Sequence, residues 1–216
     1  MRCLLKKKQC LCAYKPAFTE YHASTCKLNA GVCIGTIWRH NGLVDLVKKT
    51  IEEGGSWTRK PKSGETAVVK ANGKVSQSMA DLIVFQAAQV QHARPIAFDI
   101  SVIHPAREGL LSESSIYPAA AAKLRFKEKL KKHEFNYNRI GYLFQPVVFE
   151  AYGGFEPSFD QFIKQFCQSR IHWPHGAENH AAPTPYALFK QSTSVFFREE
   201  HSRRVRLLYA KISAQH

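Results

Sequence analysis

The segment Ile96-Ala97-Phe98-Asp99-Ile100-Ser101-Val102-Ile103 places one carboxylate in the middle of an apolar run. Its length and β-branched content predict a deeply buried strand. A carboxylate in such a strand needs a neutralising partner, because an unpaired charge taken out of water is costly. Upstream, Asp81-Leu82-Ile83-Val84-Phe85 predicts a second short strand, opened by another carboxylate. Two carboxylates on neighbouring strands can share a divalent cation through hard oxygen ligands. Such a cation activates water and stabilises the charge that builds on a phosphodiester. The competing reading pairs Asp99 with an arginine or a turn and leaves Asp81 as a strand-start residue.

Around this pair the chain reads as alternating helices and strands. Residues 38–53 carry Leu43, Val44, Val47 and Ile51 at helical spacing, and Gly54-Gly55 stops the helix. Thr66-Ala67-Val68-Val69 predicts a strand between turn signals at Gly64 and Asn72-Gly73. A long connection is expected over 105–118, a helix over 119–136 and a strand over 142–151. Further helices are expected over 159–171 and 185–212, the latter with Leu188, Val195, Phe196, Val205, Leu208 and Tyr209 as core. That order gives an α/β fold with a central sheet and extra C-terminal helices.

Charge narrows the function. Across 216 residues, 31 Lys and Arg face 17 Asp and Glu, for a net +14. Such a surface attracts polyanions, and nucleic acid is the default partner; solubility or an acidic protein partner is the competing reading. A hydrophobic content of 44% excludes wholesale disorder. No apolar run suits a membrane helix, and the first residues, Met1 to Lys8, do not read as a secretory signal.

Six cysteines are too few for a disulfide scaffold and fit an intracellular, reduced protein. Cys10, Cys12, His22 and Cys26 follow a C-x-C-x9-H-x3-C spacing. Three thiolates and an imidazole complete a tetrahedral zinc site, which staples segments too small for their own core. Only Leu11 separates the first two cysteines, so Cys3 is an alternative first ligand. The expected division is a basic zinc-knuckle-like segment over 1–36 and a larger domain over 37–216. Cys33 and Cys167 are expected to pack. His172, His175 and His180 lie in a proline-bearing loop without companion ligands.

Ala80-Asp81-Leu82-Ile83 followed by Ala97-Phe98-Asp99-Ile100-Ser101-Val102 resembles the core of the PD-(D/E)XK nucleases. More narrowly, it is similar to the restriction-like endonuclease domain that follows the reverse transcriptase in some non-LTR retrotransposons. Trp38-Arg39-His40-Asn41 with Leu43 resembles that group's Arg-His-Asn helix start. The run from Phe144-Gln145-Pro146 through Glu150-Ala151-Tyr152-Gly153-Gly154 resembles its strand-plus-glycine signature. The resemblance covers roughly residues 10–155 and includes a C-C-H-C knuckle ahead of the domain.

The resemblance implies a core of one helix, three strands, a helix and a strand. It implies Mg²⁺ or Mn²⁺ held by Asp81 and Asp99, a DNA substrate, an upstream reverse transcriptase and a nuclear location. Where the motif lysine would stand, this chain has Ser101. Similar members move the lysine to the following helix, which here carries Lys123, Lys127, Lys129, Lys131 and Lys132; Lys129 is the favoured assistant, with Lys127 second. Members also carry a glutamate on the first strand, where this chain has Lys60, with Glu52, Glu53 or Glu65 as substitutes. The alternative is therefore a catalytically inactive nucleic-acid-binding module on the same fold.

Overall fold

The computed structural model describes residues 30–62, 64–65, 67–69, 75–77, 80–85, 94–106, 109–168 and 184–213. Cys3, Cys10, Cys12, His22, Cys26 and the histidines of the 172–185 loop lie outside them.

Helix α1 (Ala30–Glu53) begins earlier than expected and ends where the glycine pair predicts. Gly55 takes a positive φ of 78°, and the Gly54 and Ser56 amides donate back to the Thr50 and Ile51 carbonyls. That closes the last turn as a glycine-ended helix does. Strand β1 (Trp57–Arg59) follows. Strands β2 (Ala67–Val69) and β3 (Val75–Gln77) form a separate antiparallel pair, Ala67 opposite Gln77. Then come β4 (Leu82–Phe85) and β5 (Ile96–Ile103). The expected long connection contains a short helix, α2 (Leu111–Ile116). Helix α3 (Ala120–Arg139), β6 (Leu143–Glu150), α4 (Pro157–Gln168) and α5 (Pro185–Ser213) complete the order.

The main sheet runs β1-β4-β5-β6. Strand β4 is antiparallel to β1 and β5, whereas β5 and β6 are parallel. A parallel pair needs a crossover, and α3 supplies it. Residue parity along β5 sorts the two faces. Ile96, Phe98 and Ile100 join the larger core with α1, α4 and α5. Ala97 packs with Tyr137 and Phe144, and Ile103 with Ala121, Ala122 and Val148, all against α3. Asp99 and Ser101 have the parity of the α3 face. Pro146 lies on β6, the outer strand of the sheet among the described residues, where a missing N–H is tolerated.

One expectation about α5 is corrected, and the side chains of Leu208 and Tyr209 lie outside the described residues. Val195 is 46% exposed, while Phe189, Thr193, Phe197 and Arg204 are buried. Apolar and charged residues are mixed round this helix with no one-sided pattern, so spacing alone leaves its inward face open; contact with α1 and α4 selects the Phe189–Phe197 side. No described helix is long and apolar enough to cross a membrane.

Candidate functional site

Strand β5 extends past the start of β4, and the site forms in that step. The Asp81 amide donates to the Phe98 carbonyl (2.8 Å), which seats Asp81 beside the Asp99–Ile100 stretch. Among the described residues, the β4–β5 ladder ends with Leu82 opposite Phe98. The Ile100 amide instead donates to Asp81 Oδ2 at 2.6 Å. The Ile100 carbonyl accepts from His40 Nε2 at 3.2 Å. The same nitrogen lies 3.2 Å from Asp81 Oδ1. An imidazole nitrogen facing a carbonyl and a carboxylate must carry the proton. The Asp81 hydrogen bond, above all, raises the His40 pKa against the opposing effect of burial.

On the other side of β5, Lys129 Nζ donates to Asp99 Oδ1 at 2.6 Å. Lys129 is only 6% exposed. Burial lowers its pKa, and the charges of Asp99 and Asp81 oppose that. Lys129 therefore lies within electrostatic reach of both carboxylates. His133, one turn further along α3, also feels Asp99, while burial lowers its pKa.

Helix α3 is pinned at both ends. Glu150 Oε1, at the end of β6, accepts from the Ala122 amide in the first turn, where a carboxylate is favoured by the helix dipole. The Arg94 guanidinium donates to the Asn138, Gly141 and Tyr142 carbonyls at the other end. These anchors hold Lys129 against β5.

The structure brings Asp81, Asp99 and Lys129 together. Lys127, Lys123, Lys131 and Lys132 are exposed. Ser101 Oγ is buried without a hydrogen-bond partner among the described residues. Lys60 is exposed at the end of β1. The three glutamates that might replace an acid there have other partners. Glu52 accepts from Thr58 (2.5 Å), Glu53 pairs with Lys49 (3.6 Å), and Glu65 is gripped by Arg59 and Tyr142. Sequence reading gave His40 no role in the acid pair; the polar stretch Arg39-His40-Asn41 ahead of the apolar positions of α1 was the available signal. His133 was detectable by its four-residue spacing from Lys129.

Among the described residues, no three of His, Cys, Asp and Glu gather as a metal cage. Two carboxylates and the Ile100 carbonyl nonetheless form a set of hard oxygen donors. Mg²⁺ needs no more from a protein, since it keeps several waters and is completed by substrate phosphates. Each of these donors also has a partner in the protein: Asp81 has the Ile100 amide and His40, the Ile100 carbonyl has His40, and Asp99 has Lys129. No protein-family model matches the chain, and neither does any curated protein.

Proposed function

We propose that this chain is a metal-dependent DNA endonuclease domain of the restriction-like type. The observation that carries the reading is the buried Lys129 held on Asp99 beside Asp81. It sits on a helix–strand–strand–strand–helix–strand order with a β2–β3 insertion after the first strand. Asp81 and Asp99 would hold Mg²⁺ or Mn²⁺, which supplies Lewis-acid stabilisation and a lowered water pKa. Lys129 places a cation next to that position, where it would stabilise charge developing on the phosphoryl oxygens. His40 orients Asp81 by hydrogen bonding. The exposed lysines of α3 and the net +14 supply phosphate-backbone affinity. Zinc on Cys10 (or Cys3), Cys12, His22 and Cys26 would staple the basic N-terminal segment in the same reading.

The test is nicking of supercoiled DNA in Mg²⁺ or Mn²⁺. Asp99→Asn is expected to abolish it and to leave DNA binding largely intact. Absence of cleavage by the native protein with either ion would overturn the reading. A second reading, a binding module that no longer cuts, is favoured by Lys60 together with the prior engagement of Glu52, Glu53 and Glu65. Gain of cleavage by Lys60→Glu would identify a decayed nuclease.

A further inference from the structure

An exposed aromatic pair lies at the outer edge of the main sheet. Strand β1 is the outer strand there among the described residues, and Trp57 stands opposite Phe85 of β4. Thr58 is buried and donates to Glu52 of α1, so its neighbours Trp57 and Arg59 take the opposite face. Phe85 packs on that face against the core of Ile83, Ala97 and Phe144. The Trp57 ring rests on Phe85, with centroids 4.7 Å apart and planes tilted by 36°. The Arg59 guanidinium lies 5.5 Å from the Phe85 centroid. Trp57 itself remains 60% exposed. An indole held by its neighbours while most of it faces water is a surface offered to something outside the chain.

Charge decides the kind of occupant. Arg59 is already paired with Glu65, but Lys60 and Lys62, just beyond β1, are exposed. The chain carries a net +14, which favours a polyanion over an uncharged or basic peptide. An exposed aromatic ring with lysines nearby meets the two needs of an unpaired nucleic-acid strand: a plane for a base and charge for the backbone. The interior of a duplex offers Trp57 no free base face. The register ties this edge to the acid pair. Arg59 lies opposite Ile83, two residues after Asp81, so β1 leads from Trp57 towards Asp81. Along β4, Asp81 is four residues from Phe85, about 13 Å at ~3.3 Å per residue.

We propose that Trp57 is a base-stacking platform for single-stranded DNA, with Lys60 and Lys62 on the backbone of the same strand. The binding does not depend on cleavage. Delivery of the bound strand to Asp81 and Asp99 rests on the nuclease reading, and it makes unpaired DNA the substrate class.

The experiment is fluorescence anisotropy of a labelled oligothymidylate of about 16 nucleotides, without divalent metal and over a range of salt. Trp57→Ala is expected to weaken binding about tenfold, the size of one lost base stack, and to leave affinity for a duplex of the same length unchanged. Trp57→Phe is expected to keep most of the affinity and to lose the quenching of tryptophan fluorescence that stacking causes. Lys60→Met combined with Lys62→Met is expected to lower the slope of log affinity against log salt by about 1.4, two phosphate contacts at ~0.7 each on a single strand. Circular dichroism checks the fold of each variant; if Trp57→Ala does not fold, the quenching in Trp57→Phe decides. Unchanged affinity in folded Trp57→Ala would overturn the proposal and leave Trp57 as a contact for another protein. An unchanged salt slope in the lysine variant, or an equal loss on the duplex, would overturn it too. Absence of nicking with Trp57-dependent binding intact would remove the nuclease reading and leave the platform standing; nicking with binding indifferent to Trp57 would do the reverse.

Discussion

Asp99 and Lys129 are coupled in a way that bears on stability as well as chemistry. The Asp99 side chain is 22% exposed and that of Lys129 8%. Removing one partner leaves the other poorly solvated. Two bare carboxylates would repel, and neutralising one would then stabilise the metal-free fold. Here Lys129 already offsets Asp99, and His40 meets Asp81. Asp99→Asn is therefore expected to destabilise the metal-free protein by about 1–3 kcal/mol in urea unfolding, as a buried group loses its partner. Lys129→Met should do likewise. The double variant should cost less than the sum, with a coupling of about 0.5–3 kcal/mol. Strict additivity would show that the pair contributes nothing to folding.

Glu65 offers a pH test away from this site. Hydrogen bonds from Arg59, and then Tyr142, hold its carboxyl at about 2, below the ordinary 4.5. A depressed acid contributes stability that is complete above its unfolded value and is lost as pH falls towards the folded one. The native protein should therefore lose stability between about pH 4.5 and 2 more steeply than Glu65→Gln. Parallel curves for the two proteins would show that Glu65 gains nothing on folding.

At the scale of elements, the packing of α1 against α5 depends on a missing side chain. A Cβ built on Gly42 would stand 2.5 Å from the Phe196 ring. Alanine gains up to about 1 kcal/mol of helix propensity over glycine. Overpacking costs about 1–3 kcal/mol, so the clash should prevail. Gly42→Ala is expected to lower stability in chemical denaturation, and Phe196→Leu added to it to recover part of the loss. A more stable Gly42→Ala would mean that Phe196 swings away freely. The same contact brings Arg39 of α1 near Arg204 of α5. The α3 anchors act similarly on the acid pair: Glu150 and Arg94 fix the helix ends, and Lys129 reaches β5 from between them.

At the scale of the molecule, the sheet separates two packed faces. Helix α3 covers one face and carries Lys129 to Asp99. Helices α1, α4 and α5 cover the other, where Phe98, Phe149, Phe159 and Phe189 fill the larger core. Strand β5 runs through both, with Asp99 midway and His104 just beyond its end. Exposed lysines lie along α3 on one side of the sheet, and Arg39, Arg203 and Arg204 gather round Glu200 where α1 meets α5 on the other.

The apolar run around Asp99, the helical spacing of Leu43, Val44, Val47 and Ile51, and the turn glycines determined the elements and the α/β class. They did so because periodicity and turn chemistry are local properties. The spacing of Asp81 and Asp99 from their strand starts also made the acid pair legible. The resemblance favoured Lys129 among the five lysines, and it meets Asp99 because β6 and Arg94 anchor α3 at its two ends. The fate of Glu52, Glu53 and Glu65 depended on side chains brought near by the folded chain. So did the inward face of α5, a helix whose apolar and charged residues follow no one-sided pattern. The pairing of Arg39 with Arg204, 165 positions apart, had no signature in either segment, because only the crossing of α1 and α5 makes them neighbours.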